Sequence, residues 1–291
     1  WGWPGATPMP PLPMSMPDVS ADLAPASAAL RPCTLVTGAS RRVGRAIALE
    51  LARAGHDIAL HHRGSAGDVQ DGAAQDTSAQ LRALGADVEL FDADLADEAA
   101  CRTLVPRVLA WSGRLDAVVN NASTFEHDDV HSFGHAAMER HWRVNTAAAI
   151  LLAEALHRHV QEWGSRGCVV NLLDQKLAHL NPDHLSYTLS KAALQAATQM
   201  LALALAPRLR VVGVAPGVTL PSGPMTETEF AAAHRMTPLG RSSTPEDVAR
   251  AVRFALESPA LTGSTLMIDG GQHLLGQPRD VYYLLRPEAA A

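Results

Sequence analysis

From Cys33 onward, short apolar runs and helical stretches take turns along the chain, and that alternation leaves few folds open. Cys33–Thr37, Asp57–His62, Asp87–Phe91, Leu115–Asn120, Gly167–Leu173, Leu209–Ala215 and Thr265–Asp269 read as strands. Helical periodicity covers Val43–Ala54, Ser78–Leu84, Glu98–Trp111, Asn145–Trp163, Leu185–Ala206 and Pro245–Leu256, with Gly55, Gly85 and Pro207 as stops. Continuous apolar strands, each followed by a helix, predict an α/β fold whose parallel sheet is covered on both faces. Sheets of this kind bind ligands beyond the carboxyl ends of their strands. The residues that follow each strand are therefore the functional candidates.

Composition closes off several function classes. With 47% hydrophobic residues in 291, the chain has ample material for a core. Its 24 basic residues are outnumbered by 30 acidic ones, which argues against nucleic acid as the main partner. Cys33, Cys101 and Cys168 are widely spaced with no CxxC, so neither a disulfide framework nor a zinc ribbon is expected. That usage fits a reducing, cytoplasmic setting. No apolar run matches a membrane helix; Ala192–Ala206 is too short and contains Gln195 and Gln199. Residues 1–30, rich in Pro, Ala and Met, read as a disordered extension, and 278–291 as a tail that packs on something, with a neighbouring subunit as one candidate. His127, His131 and His135 recur every four residues, but no acidic or cysteine ligand joins them; a polar face is expected and no metal site.

The strand ends carry the chemistry. Thr37-Gly38-Ala39-Ser40-Arg41-Arg42-Val43-Gly44 is a glycine-bearing turn entering a helix, where backbone N–H groups and the helix dipole favour an anion. An NAD site usually shows Asp or Glu after the second strand; here the stretch reads His61-His62-Arg63-Gly64-Ser65. With no carboxylate there, and with Arg63 and Arg42 available to a 2′-phosphate, NADPH is expected over NADH. Later strands end in Asp94-Leu95, in Asn120-Asn121-Ala122-Ser123-Thr124-Phe125, and in Asp174-Gln175-Lys176. Tyr187 and Lys191 lie one helical turn apart. They are drawn from only three tyrosines and two lysines in the chain. An ammonium near a phenol favours the phenolate and eases proton transfer. The second lysine, Lys176, is expected on the surface.

Taken in order, Thr37-Gly38…Gly44, Asp94, Asn120-Asn121-Ala122, Asn145, Tyr187-x-x-x-Lys191, Pro216-Gly217 and Asp269-Gly270-Gly271 resemble the short-chain dehydrogenase/reductase family. The resemblance implies one Rossmann-like, doubly wound, seven-stranded domain over 31–277 that binds NADP. It implies Tyr187 as proton donor, Lys191 on the nicotinamide ribose, and Asn145 supporting a water chain to Lys191. It also implies a homotetramer or homodimer joined through helices 145–163 and 185–206. Two departures, Arg42 for a glycine and Asp174 for the usual serine, resemble the pteridine reductase branch, dihydromonapterin reductases included. That branch implies a small-molecule pterin substrate, with Phe125 stacking on the pterin and Ser123 against cofactor or pterin. Gly38, Val43, Gly44, Asp94, Leu95, Asn121, Ala122, Pro216, Gly217 and Thr219 would complete the cofactor site, and Leu220 the substrate site.

Three readings compete. The first is an NADPH-dependent reductase of a dihydropterin, possible substrates including dihydromonapterin, dihydrobiopterin and dihydrofolate. The second is a general carbonyl reductase, for instance of 3-oxoacyl thioesters, with substrate choice in the variable loop Pro221–Gly240 and Met225 and Met236 as a lid. The third is a non-catalytic NADPH-binding module.

Overall fold

The computed structural model describes residues 31–64, 72–222 and 225–286. The extension expected over 1–30, the cofactor candidate Ser65 and the last residues of the tail lie outside them.

Seven parallel strands form one sheet in the order β3-β2-β1-β4-β5-β6-β7. They are β1 (Cys33–Val36), β2 (Asp57–His62), β3 (Val88–Asp92), β4 (Ala117–Asn120), β5 (Gly167–Leu172), β6 (Leu209–Pro216) and β7 (Thr265–Ile268). β1 pairs with both β2 and β4, so the strand order reverses beside it. Reversal opens a crevice at the carboxyl ends, where the loops part to opposite faces.

One face of the sheet is covered by α1 (Arg42–Arg53), α2 (Ala73–Ala83) and α8 (Pro245–Glu257). Ile47, Leu51, Leu81, Val248 and Val252 from these helices bury against Ile58, Val170 and Val212. The other face is covered by α3 (Glu98–Ser112) and α5 (Ala148–Glu162), through Leu104, Val108, Leu152 and Leu156. Apolar burial on both faces explains why most strands carry no alternating polar side.

The long helix expected from Asn145 starts a full segment earlier. α4 (His135–His141) runs through a π-helical turn, Trp142–Ala147, into α5. Gly134 stands at its N-terminal cap, which confines His127 and His131 to the preceding loop and dissolves the expected histidine face. Among the described residues no cluster of His, Cys, Asp or Glu could hold a metal. None of the helices there is long and apolar enough to cross a membrane.

α6 (Leu185–Ala204) carries Tyr187 and Lys191. Its start is set by Asp128, a buried carboxylate that accepts from the Ser186 backbone N–H at 2.9 Å and from the Ser186 hydroxyl. Two further helices were not legible in the sequence: α7 (Glu227–Arg235), inside the variable loop, and α9 (Val281–Leu284), inside the tail. Thr226 and Glu229 form a capping box that starts α7.

Candidate active site

The glycine turn after β1 is braced from three sides. Asn121 donates its side-chain amide to Thr37 O (2.9 Å) and Gly38 O (3.2 Å). The Thr37 hydroxyl accepts from the backbone N–H groups of Asn121 (2.9 Å) and Ala122 (3.0 Å). Buried His61 accepts from the Gly38 N–H at 3.0 Å through Nδ1, so Nε2 carries the proton given to Ala93 O, also 3.0 Å away. His61 is therefore a strut under the turn, with both nitrogens occupied by backbone, and does not line the cleft as a cofactor contact. Its neighbours His62 and Arg63 do line the cleft.

Burial pushes the His61 pKa down to about 4. The native state thus holds this ring neutral, while the unfolded chain protonates it near its ordinary value of about 6.5. Stability linked to His61 is complete above pH 6.5 and falls as pH drops toward about 4, by roughly 3 kcal/mol. Denaturant titrations across that window should show a steeper pH dependence for the natural chain than for His61→Asn. Equal slopes would remove His61 from this role.

A cleft of about 580 Å³ follows the turn. Gly38, Arg42, Val43, Gly44, Asp94, Leu95, Asn121, Ala122 and Ser123 all line it, so the candidates after β1, β3 and β4 converge, whereas Lys191 lines neither this cleft nor the one beside it. Arg42 adopts a left-handed backbone, φ 55°, a conformation that glycine reaches without the roughly 1–2 kcal/mol of strain an L side chain incurs. Its guanidinium donates to Pro221 O at 2.8 Å. Arg42 thus reaches toward the Pro221 loop, where the expectation had it joining Arg63.

Arg42 and Val43 also line a second, adjoining cleft of about 310 Å³. Here the structure gathers Phe125, Asp174, Tyr187, Pro216, Gly217, Thr219 and Leu220. The Tyr187 hydroxyl donates to Asp174 Oδ2 at 2.7 Å, and Asp174 Oδ1 accepts from the Lys176 backbone N–H at 2.8 Å. Burial raises the Asp174 pKa above the usual carboxylate value. Burial, reinforced by the Asp174 charge, holds Tyr187 well above its ordinary value. The expected lowering of the tyrosine by Lys191 is thus outweighed: a hydrogen-bonded carboxylate at 2.7 Å opposes ionisation of the phenol. Lys191 is itself buried; desolvation brings it down to about 8, and its Nζ donates to Leu172 O at 2.7 Å.

Asn145 sits in the π-helical turn. Its Oδ1 accepts from Thr124 N (2.7 Å) and the Ser123 hydroxyl (3.1 Å). Its Nδ2 donates to Thr124 O (3.0 Å) and the Ser190 hydroxyl (2.9 Å). All four positions of this amide are taken, leaving the side chain none for the water chain expected of it. What Asn145 does is fasten the loop after β4 to α6.

Phe125 is 44% exposed and stacks on His184 at 4.3 Å, with its ring at 88° to Tyr187. His184, at φ 54°, escaped the sequence reading, since nothing in a lone histidine before a helix marks it as an aromatic wall.

Lys176 is buried, contrary to the surface position expected of it. The tail explains why. Asp183 accepts from Arg279 Nε and Nη2 (2.9 and 2.7 Å) and from the Asp280 N–H (2.7 Å), bringing Arg279 and Asp280 into the lining of the second cleft beside Lys176. Arg286 pairs with Glu229, tying α9 to α7. The segment 277–286 thus packs on its own chain. Met225 lines the cleft as expected of a lid, whereas Met236 is outside its lining.

Comparisons with known proteins agree with this architecture. The family model described as Enoyl-(Acyl carrier protein) reductase matches residues 38–273. A Streptomyces violaceoruber protein, named as a ketoacyl reductase of the granaticin polyketide synthase, is 34% identical over 255 residues, 84% of this chain and 97% of the relative. L-xylulose reductase of Mesocricetus auratus is 31% identical, with 81% and 94% covered. The crystal structure of FolM alternative dihydrofolate reductase 1 from Brucella suis, in complex with NADP, superposes with a TM-score of 0.79 at 37% identity, covering 86% of this chain and 98% of that one. By the extent of these matches, the chain belongs to the short-chain dehydrogenase/reductase family of oxidoreductases.

Proposed function

We propose that the protein is an NADPH-dependent reductase of a dihydropterin, converting it to the tetrahydropterin. The carrying observation is the 2.7 Å hydrogen bond from Tyr187 to Asp174 at a cleft walled by Phe125. Reduction of a carbonyl builds an alkoxide at the proton donor, and a carboxylate at that distance opposes the developing charge. A ring C=N nitrogen is basic enough to take its proton before or together with the hydride, so no anion builds up beside the carboxylate, which favours the protonated ring. The likeness to a FolM structure with NADP bound supports the same reading.

The first cleft fits a dinucleotide: its glycine turn leaves no room for a side chain at Gly44, and Arg63 in its lining offers a guanidinium to a 2′-phosphate. When bound, the nicotinamide supplies the hydride. The chain's own residues then do four things. The glycine turn and Asn121 shape the phosphate seat. Lys191, below its usual pKa yet still mostly an ammonium at neutral pH, offers its remaining N–H groups to a ribose. Phe125 presents an aromatic face to a flat ring. Tyr187, held as a neutral phenol, donates the proton, and Asp174, raised above its usual range, takes up a replacement from water and passes it on. We also propose a homodimer or homotetramer; Leu189, Met200 and Leu203, exposed along α6, support it.

The relatives named for ketoacyl and xylulose substrates favour a second reading, a carbonyl reductase. NADPH oxidation followed in parallel with a 7,8-dihydropterin, dihydrofolate and acetoacetyl thioester decides between them. Turnover of the pterin should exceed that of the thioester at least tenfold or so. Asp174→Asn should lower pterin turnover by about 10²-fold, as expected for loss of a proton-relaying group. Turnover of the thioester alone would overturn the pterin assignment.

A further inference from the structure

The second cleft contains a pair of groups that the chemistry above leaves unused. Lys176 is 5% exposed. Its ammonium donates to the Asp183 backbone carbonyl and stands 3.9 Å from Asp280 Oδ2, too far for a hydrogen bond. An ammonium has three N–H donors, so two of them have no partner among the described residues. Asp280 uses Oδ1 to cap α9, accepting from the Tyr282 N–H at 3.1 Å, while Oδ2 accepts from none of the described residues. Both residues line the cleft that holds Asp174 and Tyr187.

Burying an ammonium is costly unless its hydrogen bonds are satisfied. Desolvation has lowered the Lys176 pKa accordingly, with Asp280, Asp174 and Asp183 opposing the drop. The surrounding frame is charge-balanced: Arg279 is paired with Asp183, and Lys176 faces Asp280. The wall therefore offers one strong donor and one strong acceptor side by side, without net charge. A hydroxyl group placed between them would accept from Lys176 Nζ and donate to Asp280 Oδ2. A carboxylate there would pair with Lys176 but has no proton to give Asp280 Oδ2, and would set two carboxylates against each other.

We propose that Lys176 and Asp280 form a specificity subsite for a neutral, hydroxylated side chain on the substrate. This rests on the dihydropterin reading and narrows it: the preferred substrate carries a short polyol on the ring, in contrast to an anionic amino-acid tail. The tail segment 277–286 thereby acquires a reason to fold back on the cleft, since it delivers Asp280 and, through Asp183 and Arg279, positions Lys176.

The test is a ratio. kcat/KM is measured for 6-(trihydroxypropyl)-7,8-dihydropterin and for 6-methyl-7,8-dihydropterin, with dihydrofolate as the anionic comparison. The natural chain should prefer the polyol by about tenfold or more, the worth of one charge-assisted hydrogen bond. In Lys176→Met the ratio should fall close to one, mainly through a higher KM for the polyol. Asp280→Asn, which preserves the shape and the cap on α9, should move the ratio the same way and provides the answer if Lys176→Met does not fold. An unchanged ratio in the folded variants, or a natural chain that favours dihydrofolate, overturns the subsite while leaving the pterin reading intact. Failure to turn over any dihydropterin overturns the pterin reading itself, and the subsite with it.

Discussion

Tyr187→Phe is expected to lower turnover by about 10²- to 10⁴-fold while leaving NADPH affinity almost untouched. The substitution removes one oxygen. That oxygen donates to Asp174 at 2.7 Å in the lining of the second cleft and is the proposed proton donor. The ring stays, and with it the edge-on contact with Phe125 at 4.7 Å. Phosphate-seat residues lie in the adjoining cleft and do not touch the hydroxyl. Steady-state kinetics paired with a fluorescence titration of NADPH would separate the two effects. A variant that retained a tenth or more of its turnover would show that the proton comes from elsewhere, with Asp174 the first alternative. Asp174 loses a hydrogen bond in this variant and is left more isolated in a buried site, which raises its pKa further.

The second large effect is expected at Gly44. An alanine Cβ there would lie 2.2 Å from Gly38 O and 2.5 Å from Asn121 Nδ2. Neither atom can yield cheaply. Gly38 is held by His61 through its N–H, and the Asn121 amide is already committed to Thr37 O and Gly38 O. Relief requires α1 to move away from the turn, or Asn121 to give up its bonds. Gly44→Ala should therefore cost about 1–3 kcal/mol of stability, the usual range for overpacking, and should weaken NADPH binding by more than tenfold. Urea denaturation and the same NADPH titration measure both. Natural-like values in both would mean that the turn is far looser than its hydrogen bonds suggest.

How much of this was legible beforehand differs from element to element. All seven strands were readable, most of them because a parallel sheet buries both faces and leaves continuous apolar runs, although β3 exposes Glu89 and Asp92. The helices read less evenly. α2 begins five residues before the predicted start at Ser78, because Ala73–Thr77 carries no strong apolar period. α7 and α9 were missed because they are short, and their stability comes from a capping box, an Asp cap and the Arg286–Glu229 pair, with little apolar periodicity. The cofactor and substrate candidates were legible as a set, since each follows a strand and the carboxyl ends of a parallel sheet meet at one edge. The roles within the set were less so. His61 and Asn145 have the right position for site residues, yet their polar atoms are consumed by backbone and neighbouring side chains.

The sequence by itself determined the α/β alternation, the glycine turn, the acid-free end of β2, and the spacing that puts Tyr187 and Lys191 on one helical face. These are local properties: periodicity, turn chemistry and residue spacing along one element. The tertiary structure alone decided that Asp174 would oppose ionisation of Tyr187 and that Arg42 would reach toward Pro221. It also decided that Lys176 would be buried under a returning tail. Each of these depends on charges or carbonyls that are distant along the chain, such as Asp280, which lies 104 positions after Lys176. Electrostatic interaction depends on separation in space and on local burial, and neither can be read from separation along a sequence.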